Sequence, residues 1–458
     1  MDHGNAESEK ISELKEDALR YICPHFASNA ELAKGPKIFV RGEGCYVYDI
    51  EGRRYLDTFA SLLTTICGHH RPEVAEAVTR QLTQLEFFPN YVDTFTLPLI
   101  ELARKLAEIA PGDLSVSFFV NSGSEACESA IKMAKQYHVE RGERSRYKII
   151  ARRHSYHGTT LGGISATGIP WFREGFEPLL PGFLHAVSTR CYRCELDLEP
   201  SSCNLACLKA LEQLILWENP KTVAAVIIDP VPGSNIGYPV PPDGYIQGLK
   251  ALCDEHGILL IFDEVQTGFG KTGKMFACQH WDVAPDIMAV GKGFTGGYIP
   301  LGATITTPSI YEVFRKPGSE FRSGSTYGGH TVACAATLAN IGVIEKGNLV
   351  EKAAELGNHL RERLEGLREY RIVGDVRGIG TLLAVELVAD KNTKAYLDPE
   401  LGVGSWIREW CWDNGMILRN NGDILVIAPA LIMTTGEADE MLLKIDQAIA
   451  AAVSHFGL

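Results

Sequence analysis

The sequence predicts an α/β fold, with a large domain built on a parallel or mixed sheet and a smaller α+β domain beside it. Three observations predict it. Short apolar, β-branched runs alternate with helical periodicity through the middle of the chain. Several of those runs are followed by Gly, Ser or Asp, the residues that end strands and open ligand-binding loops. The two ends of the chain lose this alternation and read as hairpins and strand pairs.

The clearest unit begins with the run Thr222–Val231. A helical stretch, Asp243–His256, follows and stops before Gly257, and Ile258–Val265 is the next apolar run. Strand, helix and strand in that order make a parallel βαβ unit. Ser117–Val120, Lys148–Ala151 and Ile287–Val290 extend the same sheet. Near the N-terminus, Cys45–Asp57 has a hairpin pattern with Glu51-Gly52 at its turn. From about Val332 a long helical stretch is joined by strand pairs near Gly380–Val388 and Ile424–Pro429. We divide the chain into an N-terminal segment of the smaller domain (1–60), a large domain (61–331) and a C-terminal part of the smaller domain (332–458).

Composition narrows the function classes. The 458 residues are 45% apolar and 22% charged, an ordinary soluble composition. A net charge of −13 argues against a nucleic-acid partner. No apolar run is long enough for a membrane span, and the N-terminus has no leader pattern, so a cytoplasmic protein is expected. The 12 cysteines are too sparse for a disulfide scaffold. Four of them, Cys191, Cys194, Cys203 and Cys207, are grouped. Such spacing can hold zinc, but reduced thiols in a cramped loop are the favoured reading, and no metal is assigned.

Three elements carry chemistry. Asn121-Ser122-Gly123-Ser124-Glu125-Ala126 follows a strand and opens a helix, with capping-box spacing between Ser122 and Glu125. Free N–H groups and hydroxyls at a helix start suit a phosphate. Asp263 ends a buried apolar strand, where a carboxylate is costly without a partner such as a protonated pyridine nitrogen. Lys292 ends another strand between Gly291 and Gly293, where burial would make its amine nucleophilic. Each has a bland reading alone: a helix cap, a capping carboxylate, a lysine in a turn. Together, phosphate cradle, acid and lysine are what a pyridoxal 5′-phosphate (PLP) site requires. Two other signals fail. Gly291–Gly296 matches G-x-G-x-x-G without an acidic ribose-binding residue, and Gly270-Lys271-Thr272 lacks the glycine a P-loop needs, since Val265 stands there.

With these elements in place, the sequence resembles the class III (subgroup II) aminotransferases of PLP fold type I, the aspartate aminotransferase-like fold, and among them the ω-amino acid and amine:pyruvate transaminases. The resemblance runs from about Gly44 to the C-terminus. It rests on Tyr55-Leu56-Asp57, Arg71-Pro72-Glu73, Ser122–Ala126, Tyr156-His157-Gly158, Asp263–Gly270, Lys292-Gly293 and Thr326-Tyr327. It implies that Lys292 holds PLP as a Schiff base and shuttles the proton, and that Asp263 pairs with the pyridinium nitrogen. It further implies that Tyr156 stacks on the ring, with His157 among the cofactor contacts, that Ser122, Gly123 and Ser124 hold the phosphate, and that Val265 and Gln266 lie against the ring. Thr326 would reach the phosphate of a second subunit, which makes a homodimer the expected state, with a tetramer left open.

The resemblance also implies a substrate side. Arg419 matches an arginine that holds a substrate carboxylate. Relatives that use 2-oxoglutarate park it on a glutamate; the matching position here is Ser234, which cannot neutralise it. That favours pyruvate as acceptor and an amine or ω-amino acid as donor. Leu63 stands where many amine-using relatives have tryptophan, and Phe88 and Tyr91, beside Phe87, are candidate pocket walls. Asp229-Pro230 replaces the usual Glu-Pro, and Thr331 replaces a usual proline. Other PLP reactions on the same scaffold, namely racemase, aminomutase and decarboxylating transaminase, would use the same lysine and aspartate. A non-enzymatic PLP-binding regulator would need an added DNA-binding module or a lost lysine, and neither is seen.

Overall fold

The computed structural model describes residues 2–458, with side chains from residue 9. Met1, which begins the charged run read as lacking a leader, lies outside the described residues.

Three N-terminal strands, Phe39–Glu43 (β1), Tyr46–Asp49 (β2) and Arg54–Asp57 (β3), form an antiparallel ribbon. The expected hairpin is β2–β3; β1 and a polar helix at Asp2–Tyr21 were not anticipated. Seven strands make the large sheet: Val116–Val120 (β4), Lys148–Arg152 (β5), Phe183–Ala186 (β6), Val223–Ile228 (β7), Leu259–Asp263 (β8), Ile287–Val290 (β9) and Gly302–Thr306 (β10). Their order is β4-β10-β9-β8-β7-β5-β6. The central strands are parallel, and β10 runs antiparallel to both its neighbours. The sheet is therefore mixed.

Every residue of β7, β8, β9 and β10 is buried, as expected of strands covered on both faces. Alternate residues serve two cores. Val226, Ile228, Leu260, Phe262 and Met288 join one, and Ala225, Ile227, Leu259, Ile261 and Ile287 join the other.

The C-terminal part adds Val373–Ile379 (β11), Leu382–Leu387 (β12), Met416–Ile417 (β13), Arg419–Asn421 (β14) and Ile424–Ile427 (β15). Strands β11, β12, β15 and β14 form one sheet, while β13 pairs in parallel with β3. Both chain ends thus meet, and Cys45 and Leu56 share a core with Ile407, Met416 and Ile445. The long helical stretch expected after Val332 is two helices, Thr331–Lys346 and Leu349–Glu365. Asn348, at φ 49°, breaks it. No described helix is long and apolar enough to cross a membrane.

Candidate active site

The site is assembled at the carboxyl ends of the large-sheet strands. Asp263, the last residue of β8, lies opposite Ala289 of β9, and the Glu264 N–H donates to the Ala289 carbonyl at 2.9 Å. Lys292 follows three residues beyond Ala289. It adopts φ 47°, a left-handed conformation that costs a non-glycine residue about 1–3 kcal/mol. Its glycine neighbours make the turn feasible. A Cβ on Gly291 would stand 3.1 Å from the Gly123 backbone, and one on Gly293 would stand 2.9 Å from Ile66. Burial lowers the Lys292 amine to about 8; the Asp263 carboxylate opposes that shift and the Arg419 guanidinium adds to it. Lys292 therefore has an amine poised near neutrality, within the electrostatic reach of both expected partners.

The candidate phosphate loop follows β4. Ser122 caps the helix Gly123–Glu140, its hydroxyl accepting from the Glu125 N–H at 3.2 Å. Only half of the expected capping box forms. The Glu125 carboxylate instead accepts from the Asn121 N–H at 2.5 Å, one residue earlier. Gly123 is tightly enclosed, since a Cβ there would meet the Val265 side chain at 2.7 Å. Ser124 faces the Tyr156–Thr159 segment, where its hydroxyl accepts from the Thr159 N–H at 3.3 Å. Gly158, at φ 113°, leaves no room for a side chain, because a Cβ would stand 2.6 Å from Ser124 Oγ.

Asp263 is 5% exposed and is held on both oxygens. Oδ2 lies 2.9 Å from His157 Nδ1 and accepts from the Cys127 thiol at 3.2 Å, and Oδ1 accepts from the Val265 N–H at 3.1 Å. Cys127, His157 and Asp263 are also the one group among the described residues whose donor atoms could meet at a metal ion. As they stand they form a hydrogen-bonded triad. The side chain of Tyr156 is half-buried, 4.9 Å from the Phe172 ring between centroids, and burial and the nearby Asp263 charge raise its hydroxyl.

The shortened carboxylate at Asp229 keeps a full set of partners. Oδ1 accepts from Arg152 at 2.9 Å and Ser155 at 2.6 Å, and Oδ2 accepts from the Gly233 N–H at 3.1 Å. The buried Arg152 supplies the compensating charge.

On the opposite wall, Arg419 begins β14. Its guanidinium carbon lies 5.4 Å from the Phe59 ring centroid. Among the described residues its Nε is buried without a partner, and burial lowers its basicity against the pull of Tyr238. The Tyr238 hydroxyl is likewise buried and unpartnered. Ser234 lies beside this wall, with its carbonyl accepting from Asn421 at 2.8 Å and its N–H donating to Gln266 Oε1 at 3.2 Å. Leu63 is buried in the same apolar cluster as Phe59, Val231 and Tyr238.

Leu63 also closes a left-handed turn. Ala60, Ser61, Leu62 and Leu63 have φ between 44° and 66°, without a glycine among them. Asp57 supports the turn by accepting from the Phe59 N–H at 3.0 Å and the Ser61 N–H at 2.7 Å. Phe88, Tyr91 and Thr326 are exposed in the single chain. Beside Thr326, Ser325 accepts from Asn121 at 2.6 Å.

These residues fit a PLP molecule. They supply an enclosed glycine at a helix start, a carboxylate gripped at the end of a strand, a lysine amine held near 8, and a buried His157 Nε2 without a partner. His157, Cys127 and Tyr238 acquire their places only in the folded chain. No local pattern marks Cys127 or Tyr238.

The class III aminotransferase family model matches residues 28–449. A putrescine–pyruvate aminotransferase of Pseudomonas aeruginosa is 35% identical over 98% of this chain and 99% of its own length. Among solved structures, an (S)-enantioselective ω-transaminase from Thermomicrobium roseum has a TM-score of 0.94 and 39% identity, over 96% of this chain and 99% of that one. An ω-transaminase of Pseudomonas jessenii in complex with PMP has a TM-score of 0.93 and 35% identity, over 97% of this chain and 99% of that one.

Proposed function

We propose that this chain, which belongs to the class III aminotransferases, takes the amino group of an amine or ω-amino acid and passes it to pyruvate in a ping-pong cycle. The family's cofactor, PLP, supplies an electron sink that stabilises negative charge on the substrate carbon. The protein supplies the rest. Lys292 Nζ anchors the cofactor and then carries the proton to and from the substrate carbon. Asp263, steadied by His157 and Cys127, holds the ring nitrogen's proton. Gly123 and Ser124 bind the phosphate with the help of the helix N-terminus, and Ser122 fixes that helix start. Tyr156 and Val265 would cover the two ring faces, and Gln266 would lie at the ring's edge.

The observation that carries the substrate assignment is Arg419. A half-buried guanidinium with no ion pair among the described residues is costly unless an anion arrives. Its neighbours Ser234, Tyr238 and Phe59 carry no charge, so the wall suits the single carboxylate of pyruvate or of an ω-amino acid. Phe59 and Leu63 give the same wall an apolar surface for an uncharged amine.

The exposed apolar side chains Leu82, Leu85, Phe88, Tyr91, Phe95 and Ile100 lie close together in sequence. A second copy of the chain covering them would make a homodimer. In it Thr326, and with it Phe88 and Tyr91, would serve a site completed by both subunits.

The test uses the cofactor-loaded protein and a panel of amines without keto acid. One donor class, among an ω-amino acid, a diamine, an aryl-alkyl amine and taurine, is expected to bleach the cofactor's visible band. Pyruvate, and not 2-oxoglutarate, is expected to restore it. A band that no amine bleaches would transfer the assignment to a racemase or mutase. Restoration by 2-oxoglutarate alone would overturn the acceptor.

A further inference from the structure

The turn that carries Lys292 is gripped from behind by a helix that contributes nothing else to the candidate site. Lys292–Thr295 is one short helical turn. The Phe294 N–H donates to the Gly291 carbonyl at 3.0 Å, and the Gly296 N–H donates to the Gly293 carbonyl at 3.3 Å. Two such bonds do not account for a lysine held at φ 47°. A left-handed conformation at a residue with a side chain persists only where its surroundings over-determine it. Part of that constraint is packing. Gly291 lies against the Gly123 backbone and Gly293 against Ile66. Phe294 is fully buried, its ring stacked on Phe269 with centroids 5.1 Å apart. The polar part of the constraint comes from Asn340.

Asn340 lies in the helix Thr331–Lys346 and is 0% exposed. Most buried positions of that helix are small or apolar, among them Val332, Ala336, Ile341 and Ile344. Asparagine is a weak helix former, and an amide in such surroundings is costly unless it bonds outside the helix. Both of its N–H groups do so at one place. Nδ2 donates to the Gly293 carbonyl at 2.9 Å and to the Phe294 carbonyl at 3.1 Å. Reversing the amide would set Oδ1 against two carbonyl oxygens, so the orientation is forced. Oδ1 is buried without a partner among the described residues. It lies against Gly296, at φ 66°, where a Cβ would stand 2.5 Å away. The turn and the amide are thus shaped to each other. The two carbonyls follow Lys292 by one and two residues. Fixing them fixes the direction in which the lysine side chain leaves the backbone.

We propose that Asn340 is a positioning residue for Lys292: its amide holds the left-handed turn and so aims the lysine amine at the cofactor and the substrate carbon. The proposal rests on the assignment of Lys292 as the cofactor lysine.

The test compares two variants with the wild type. Asn340→Leu keeps the branched shape and removes both donors, and Asn340→Ser cannot overfill the space. Thr337→Val is the control, because Thr337 is buried in the same helix and its hydroxyl donates within that helix, to the Ala333 carbonyl at 2.7 Å. PLP uptake by the cofactor-free protein and the amine half-reaction at saturating amine should each slow about 10–100-fold in both Asn340 variants. The amine concentration that gives half the maximal rate should stay unchanged. The pH at which uptake climbs should move up by about half a unit or more, since a relaxed turn releases the amine from burial. Thr337→Val should keep the wild-type rates and pH profile. Asn340 variants with wild-type uptake and pH profile overturn the proposal, and so does a Thr337→Val variant that reproduces their losses. Where Asn340→Leu fails to fold, Asn340→Ser decides. Wild-type protein that carries no cofactor on Lys292 after borohydride reduction would overturn the lysine assignment itself, and this proposal with it. Wild-type label on Lys292 with unaffected Asn340 variants would overturn this proposal alone.

Discussion

His157 Nδ1 lies 2.9 Å from Asp263 Oδ2, although 106 residues separate them. The same oxygen accepts from Cys127, so the carboxylate expected to face the cofactor nitrogen is aimed from behind by two buried side chains. Asp263→Asn removes the charge and is expected to lower turnover by about 10²–10³-fold. His157→Phe leaves the charge but not the aim, and a loss of about 10–100-fold is expected. Stopped-flow rates of the amine half-reaction check both, and Cys127→Ala should fall between His157→Phe and wild type.

Arg419→Gln separates the two halves of the cycle. The pyruvate half-reaction should lose about 10–100-fold in kcat/KM, the equivalent of about 1.5–3 kcal/mol for a charge-assisted hydrogen bond. An aryl-alkyl amine, which has no carboxylate, should react at an unchanged rate. Equal losses for both would mean that Arg419 is a structural cation only.

Gly158→Ala puts a Cβ 2.6 Å from Ser124 Oγ at a φ of 113°. The substitution should cost about 1–3 kcal/mol of stability. It should also displace the Ser124 hydroxyl and weaken cofactor retention. Thermal unfolding of the cofactor-free protein measures the first effect, and equilibrium dialysis of PLP the second.

Lys292 and the buried Lys271 give the cofactor-free protein a pH signature. Burial lowers Lys292 to about 8 and Lys271 to about 7 from the usual 10.5. Lys271 Nζ donates to the Ala428 and Pro429 carbonyls at 3.0 and 2.6 Å, tying the large-sheet unit to the end of β15. Each group binds its proton more tightly in the unfolded chain. Unfolded protein therefore holds more protons between the folded values and 10.5, and stability rises with pH across that window. Urea unfolding of the cofactor-free protein at pH 7, 8 and 9 should show it. The rate of PLP uptake should also climb through pH 8, as Lys292 becomes neutral.

Much of the candidate site is legible in the sequence because its residues stand where patterns change. Asp263 ends an apolar strand and Lys292 and Gly123 each follow one, and a charge or glycine at such a boundary stands out. Arg419 and Ser234 could be paired only through the family resemblance. Cys127 and Tyr238 were invisible, since they meet their partners through the fold and not along the chain. The turn Ala60–Leu63 has no glycine to announce its left-handed backbone, and support from Asp57 replaces that signal. The helix Thr331–Lys346 is buried on most of its surface, so its apolar positions have no period to mark where it stops before Asn348.

The central claim is that Lys292 holds the cofactor. Borohydride reduction of the PLP-loaded protein, followed by digestion and mass spectrometry, tests it directly. The account predicts the cofactor's mass on the peptide carrying Lys292, and its absence after Lys292→Ala. Label on the buried Lys271 instead, or on no lysine, would contradict it.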